Sequence, residues 1–169
     1  MLVITFAEIK DGWAETFFDF GSNQQIATCL SWFTDPFADL ARLALTMLRG
    51  DEGGEVRFTD EETDWMLRFQ RQGNGFYTLR LENWILGSSI SSRGRVTLKD
   101  HWETADVEPW QFAHEIWAEL ARVKQTPGVR SWNDERKLSN SSKRHHSTAP
   151  CDPLFELARS LAGEDNPPA

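Results

Sequence analysis

The first part of the chain alternates short apolar runs with turn residues. Three runs rich in β-branched and aromatic residues, LVITFAEI, AETFFDF and QQIATCLSWF, are typical of β-strands. The segments Lys10-Asp11-Gly12 and Gly21-Ser22-Asn23 separate these runs and favour tight turns. Links this short cannot connect parallel strands, so the pattern predicts an antiparallel meander.

A helix is predicted to follow over residues 36 to 49. Asp35 suits the N-cap, Pro36 suits the first helical position, and Gly50 can end the helix in a left-handed conformation. Apolar residues recur at helical spacing along one side of this segment, which indicates a helix that packs on a sheet. They are Phe37, Leu40, Ala41, Ala44, Met47 and Leu48.

A second group of strands is predicted after this helix. Apolar and polar positions alternate in EVRFTD, DWMLRFQ and FYTLRLE, so each strand has one dry face and one wet face. Gly73-Asn74-Gly75 tolerates positive φ and predicts a hairpin between the last two of these strands. The segment RVTLKDHWE is interpreted as one further strand.

The last third of the chain contains a second predicted helix and a long polar segment. The helix runs from about Pro109 to Lys124. Residues 130–150 are dominated by polar and basic side chains and are predicted to form a mobile loop. A short closing helix begins at Pro153, and residues 164–169 are expected to be a frayed tail. The expected core side of the second helix consists of Trp110, Ala113, Ile116, Trp117 and Leu120.

Together these elements predict an α+β fold in a single domain that spans residues 1–169. The expected architecture is a single antiparallel β-sheet of about five to seven strands. Helix 36–49 packs on one face of this sheet, and helix 109–124 lies beside it. A chain of 169 residues, of which 40% are hydrophobic, has the size and the apolar content of one domain.

The charge is concentrated in the first part of the chain. The formal net charge is −8, and residues 1–64 contain 13 acidic and four basic side chains. An acidic surface repels phosphate backbones, so direct binding of nucleic acid is not expected. The same field accelerates encounter with a basic protein, which makes a cationic protein the expected partner.

The sequence also indicates a cellular compartment. No run approaches 18 consecutive apolar residues, and the N-terminus has no basic segment ahead of an apolar one, so neither a membrane span nor a signal peptide is expected. Cys29 and Cys151 lack nearby cysteine partners, which disfavours a disulfide framework. A cytoplasmic location is therefore predicted, with Cys29 as an inert thiol in the core.

No motif of catalytic quality is present in the sequence. His114-Glu115 begins like the zinc metalloprotease helix, but position 118, where the second histidine belongs, is alanine. Gly87-Ser88-Ser89 lacks the glycine spacing of a nucleophile elbow. The chain is therefore expected not to be an enzyme and to hold no metal or other cofactor.

The order of the elements resembles a group of small bacterial proteins. The helix DPFADLARLALTMLRG, the strand EVRFTDEETDWMLRFQRQ, the hairpin GNGFYTLRLENW and the helix PWQFAHEIWAELARV are similar to those of small bacterial α+β proteins, including immunity proteins of toxin–immunity systems. This resemblance implies a bacterial immunity protein, or antitoxin, that binds and neutralises a cognate toxin domain. It implies no particular contact residue.

Two short acidic segments and one tryptophan are the predicted contacts with such a toxin. The toxin itself is expected to have a basic surface. One alternative is a small-molecule-binding or sensory domain with a pocket near Trp84 and Trp102. Another alternative is a hydrolase or transferase that uses scattered acidic side chains and His101. The predicted partner-binding residues are Asp51, Glu52, Glu55, Asp60, Glu61, Glu62, Asp64 and Trp132.

Overall fold

The strands and helices follow the hydrophobic pattern of the chain. A computed structural model describes residues 2–10, 13–21, 24–31, 35–60, 63–86, 96–125 and 153–162. Several predicted features lie outside these residues: Glu61, Glu62, Trp132, the loop at 130–150 and the tail at 164–169. The side chain of Asp60 lies outside them as well. The described elements are β1 (Val3–Lys10), β2 (Trp13–Asp19), β3 (Gln25–Ser31), α1 (Pro36–Leu48), β4 (Gly53–Asp60), β5 (Thr63–Arg71), β6 (Tyr77–Leu86), β7 (Val96–Val107), α2 (Pro109–Lys124) and α3 (Pro153–Leu161).

The strands form two antiparallel sheets, which corrects the expected single sheet. The three-stranded sheet has the order β1-β2-β3, and the four-stranded sheet has the order β4-β5-β6-β7. The α+β class and the antiparallel neighbours are confirmed. β3 and β4 approach each other, but they are not paired in either sheet. Hydrophobic alternation defines the buried face of a strand and carries no information about which edges pair, which is why this division was not predicted.

The helix limits agree with the cap residues. The Asp35 carboxylate accepts a hydrogen bond from the Ala38 amide at 3.2 Å, Pro36 occupies the first turn, and Gly50 adopts a φ of 82° after the end of α1. At the start of α2, the Glu108 carboxylate accepts hydrogen bonds from the Trp110 and Gln111 amides. Both helices therefore begin where a side chain satisfies backbone donors that the helix itself leaves without acceptors.

Aromatic side chains join the two sheets into one core. The buried ring of Phe18 in β2 lies 6.3 Å from the ring of Phe58 in β4 and 6.4 Å from that of Trp65 in β5. Trp65 in turn stacks on Trp102 of β7 at 5.9 Å. Each of the seven strands and three helices that the structure describes has members in or against this hydrophobic cluster. The contact between the sheets is therefore made by side chains instead of backbone hydrogen bonds.

α2 covers the open edge of the three-stranded sheet at β1. The Phe6 amide donates to Glu119 Oε1 at 2.6 Å, and Arg122 donates to the Phe6 carbonyl. The Glu119 carboxylate also accepts from Arg122 at 2.7 Å, and this bond raises the pKa of the Arg122 guanidinium. Because β1 is an edge strand, these side chains satisfy backbone groups that no neighbouring strand satisfies.

Cys29 and Trp110 differ from their expected positions. Cys29 is exposed, because it lies on the opposite face of β3 from the buried Leu30. Trp110 is also exposed, and Phe112, which the predicted stripe omits, is buried in α2 instead. The expectations of a core thiol at Cys29 and a core indole at Trp110 were therefore wrong.

Gly54 is expected to be a site of strong steric constraint. A Cβ atom at Gly54 would lie 2.6 Å from Cε1 of Phe69, a buried ring that also packs on Tyr77 at 5.4 Å. Replacement of Gly54 by Ala should lower the free energy of unfolding by about 1–3 kcal/mol, because the ring has to move within a packed core. Urea unfolding measures this loss.

Gly73→Ala is the matched control, because a Cβ atom there has no neighbour within 4 Å. Equal urea midpoints for the two variants would contradict the steric interpretation.

Candidate functional site

Tyr77 holds together one end of the molecule. Its side chain is 1% exposed, its hydroxyl donates toward the Met47 carbonyl at 3.1 Å, and the Asp51 carbonyl lies 3.2 Å from the same hydroxyl. In the four-stranded sheet Tyr77 is paired with Val107, two residues before α2 begins. The end of α1, the start of β4, the β5–β6 turn and the β7–α2 junction therefore meet around one side chain. This region is called the Tyr77 end.

Two large apolar side chains are exposed at the Tyr77 end. Phe76 immediately precedes Tyr77 and is 38% exposed, and Trp110 lies three residues after Val107 and is 53% exposed. Exposed aromatic residues are the side chains that most often anchor protein interfaces. The Tyr77 end therefore presents apolar area that the folded chain itself does not cover.

Trp110 belongs to a row of rings along α2. The Trp110 ring stacks on the His114 ring at 5.3 Å and 24°, and His114 lies 6.1 Å from Trp117. Trp117 packs partly against the core, which supports the other two rings. Stacking on His114 restricts the position of the Trp110 side chain. Less conformational entropy of this side chain is therefore lost when a partner binds it.

Carboxylates are also exposed near Tyr77. Asp51 and Glu52 are both exposed, and Glu52 contacts Arg71 at 3.4 Å. The Glu52 side chain is 80% exposed, so this ion pair is open to water and contributes little stability. The Asp106 side chain is also exposed, at a backbone φ of 55°. The Tyr77 end therefore exposes carboxylates as well as aromatic side chains.

The predicted acidic residues lie at opposite ends of β4. Asp51 and Glu52 precede the strand, and Asp60 is its last residue. Eight residues of extended chain separate these ends by roughly 23 Å. Glu55 lies within the strand and contacts Arg68 at 3.4 Å. The described acids therefore do not form one continuous patch.

Asp64 has a structural environment. It is 3% exposed, it pairs with Arg57, and Thr59 Oγ1 lies 3.1 Å from its Oδ1. Since Arg57 and Thr59 belong to β4 and Asp64 to β5, these contacts link the two strands and engage the carboxylate away from the surface. No local sequence signal indicates this environment, because Asp64 closely follows three other acids and resembles part of a solvated turn.

The two tryptophans of the predicted small-molecule pocket lie on opposite faces of the four-stranded sheet. Trp102 pairs with Leu81 and faces the core, whereas Trp84 is in register with Asp64 on the outer face. Their rings therefore do not line a common cleft. Within the described ranges, no group of three or more histidine, cysteine or acidic side chains is arranged to hold a metal ion.

Phe76 and Trp110 are the exposed residues that sequence reasoning missed. Phe76 follows Gly75 directly and reads as the first apolar residue of a strand, although the buried face begins at Tyr77. Trp110 lies at the margin of the helical stripe, and the position of Phe112 was the available signal that the stripe is rotated away from it.

The ionisation of Tyr77 provides a test of this packing. Burial raises the pKa of the Tyr77 hydroxyl above its ordinary value of 10.0; the charge of Arg71 opposes this, and Asp51 and Glu52 add to it. The unfolded chain therefore loses this proton first. We expect the stabilising contribution to be complete below about pH 10 and to be lost as the pH rises through the folded-state pKa.

Tyr77 is the only tyrosine, so tyrosinate absorbance reports on it alone. The ionisation midpoint should be higher in buffer than in denaturing urea. Tyr77→Phe should abolish the corresponding loss of stability and cost about 1 kcal/mol at neutral pH. The same midpoint in buffer and in urea would contradict burial of the hydroxyl.

No helix in the described part of the chain has the length and apolar character needed to cross a membrane.

No known family model, curated protein or solved structure matches this chain. What the chain does must therefore be inferred from the side chains that its surface presents.

Proposed function

We propose that this chain is a bacterial immunity protein that binds a cognate toxin domain with a basic surface and thereby neutralises it. The observation that carries the proposal is the combination of two exposed aromatic side chains and exposed carboxylates at the Tyr77 end. Neither feature alone indicates a partner, since scattered apolar and acidic residues are normal on protein surfaces.

The aromatic residues supply the affinity in this proposal. Trp110 and Phe76 are the side chains whose burial by a partner would remove the most apolar area at this end of the molecule. The stacking of Trp110 on His114 reduces the entropy lost when a partner fixes the indole.

The acids supply the specificity for a basic protein. The whole chain carries a net charge of −8, and the exposed Asp51 and Glu52 add negative potential near Tyr77. Such a field accelerates association with a cationic surface and disfavours an acidic one. Asp51 and Glu52 thus remain proposed contacts, whereas Asp64 is assigned to the stability of the sheet.

The direct test is co-expression with the product of the gene immediately upstream of this chain's gene, where the proposal places the toxin domain. The upstream domain alone should arrest growth of a bacterial host, and co-expression of this chain should restore growth. A toxic upstream domain that this chain neither rescues nor binds would overturn the proposal.

Charge reversal at the Tyr77 end should slow association with that toxin domain. Asp51→Lys combined with Glu52→Lys should reduce the association rate about tenfold at low salt and weaken its salt dependence, because the steering field is reversed locally. Stopped-flow fluorescence measures the rate at low and high ionic strength.

Glu8→Lys combined with Glu15→Lys is the control, since it makes the same change in net charge on the three-stranded sheet. An equal effect of both pairs would show that net charge alone is responsible and would remove Asp51 and Glu52 from the interface.

Removal of the exposed indole should accelerate dissociation. Trp110→Ala should cost about 2 kcal/mol of binding free energy, seen mainly as a faster dissociation rate, with little change in the free energy of unfolding. Ile85→Ala is the control, because it removes an exposed apolar side chain on β6 instead of α2. Wild-type dissociation in the Trp110 variant would place the interface elsewhere.

A further inference from the structure

The outer face of the four-stranded sheet carries an ordered row of charges. This face is the one opposite the core, and the strand register places Glu55 beside Arg68, Arg68 beside Arg80, and Arg80 beside Glu103. Neighbouring strands lie about 4.8 Å apart, so two like-charged guanidinium groups face each other at the centre of the row. Like charges directly opposite each other destabilise a sheet unless something compensates them.

A single buried carboxylate compensates the two arginines. The Glu82 side chain is 7% exposed, with Oε1 lying 2.9 Å from Arg80 Nε and Oε2 lying 3.4 Å from Arg68 Nε. Trp84 Nε1 also donates to Oε2 at 2.9 Å. Both oxygens of Glu82 are thus engaged, and the carboxylate holds the two guanidinium groups side by side.

The two guanidinium groups retain donor capacity. Arg68 directs Nε and Nη2 at the sulfur of Met66, at 3.0 and 2.8 Å, and a thioether is a weak acceptor. In the described part of the chain, Arg80 Nε is buried without an aligned hydrogen-bond acceptor, so its 2.9 Å contact with Glu82 is an ion pair only. Each guanidinium group has five N–H donors, and the described residues supply fewer strong hydrogen-bond acceptors than that.

An open cleft lies directly over this pair. Its volume is about 420 Å³, within the range of small-ligand sites, and Arg68, Arg80, Gln70 and Thr78 contribute to its lining. Gly53 lines its β4 side and projects no side chain into it. The cleft therefore combines two forked donors with an amide and a hydroxyl.

The charge of the site decides which anions it accepts. With Glu82, Glu55 and Glu103 against two arginines, the group has one more negative than positive charge, which disfavours a phosphate dianion. A carboxylate with a nearby ammonium group avoids this penalty: the carboxylate faces the arginine forks and the ammonium faces a flanking glutamate.

We infer that this cleft binds a small zwitterion, a free amino acid or a short peptide, through its carboxylate at Arg68 and Arg80 and its ammonium group at Glu55 or Glu103. This cleft adjoins the Tyr77 end, because Gln70 in its lining donates from Nε2 to the Glu52 carbonyl at 2.9 Å, but the inference does not depend on the immunity proposal.

Nitrogen-15 NMR of the Arg Nε–Hε groups tests the site in the full chain. The protein is titrated separately with two zwitterions, the free amino acid γ-aminobutyrate and the peptide triglycine. Acetate and ethylammonium, each of which carries only one of the two charges, are the controls. At least one zwitterion should give saturable shifts of the Arg68 and Arg80 signals with an affinity about tenfold above that of either single ion. The tighter of the two zwitterions identifies the source of the ligand.

Two variants separate binding from folding. Arg80→Lys keeps the charge but loses the fork, and should weaken zwitterion binding about tenfold, whereas Arg42→Lys on α1 should not. Glu55→Gln combined with Glu103→Gln, both exposed positions, should weaken zwitterion binding and strengthen acetate binding. Thermal unfolding verifies that each variant is folded.

The inference is overturned if neither zwitterion saturates the arginine signals, if acetate binds as tightly as the zwitterions, or if the glutamate variant shifts both affinities in the same direction.

Discussion

The contact of Phe18 with Phe58 and Trp65 is the interaction on which the remainder of the structure depends. Among the residues that the structure describes, the two sheets share no backbone ladder, so side chains that meet between them set their relative position. Trp65 extends this contact to Trp102, and a single aromatic series thereby crosses from β2 to β7. Because packed interiors tolerate little change in volume, this series determines where both sheet faces lie.

The outward surfaces follow from that arrangement. With the inner faces of both sheets committed to the core, the alternate residues of β5 and β6 have to face outward, and most of these are charged or polar. Buried Glu82 and Asp64 show that ion pairs organise this outer face as well. At the Tyr77 end, the Tyr77 hydroxyl fixes the backbone at the end of α1, and the exposed rings and carboxylates are displayed from a rigid base.

Much of the fold is predictable from local signals. The limits of α1 follow from Asp35, Pro36 and Gly50, and the β5–β6 hairpin follows from the glycines of its turn. The candidate site was less predictable. Asp51 and Glu52 were identified by charge alone, whereas Asp64 belongs to a buried ion pair, because cross-strand register decides whether an acid meets a guanidinium. Trp110 was misassigned because a small rotation decides between burial and exposure near the margin of a helical stripe, whereas Cys29 was misassigned because β3 buries the alternate face, which carries Leu30.

The sequence by itself determined the α+β class, the limits of the first two helices and the inward-facing residues of most strands, since each depends on interactions between residues close in the chain. Only the tertiary structure decided the division into two sheets, the meeting of four chain segments at Tyr77, and the alignment of Arg68 with Arg80 above Glu82. These features join residues far apart in sequence. Their geometry is set by packing and strand register, which local hydrophobic periodicity does not encode.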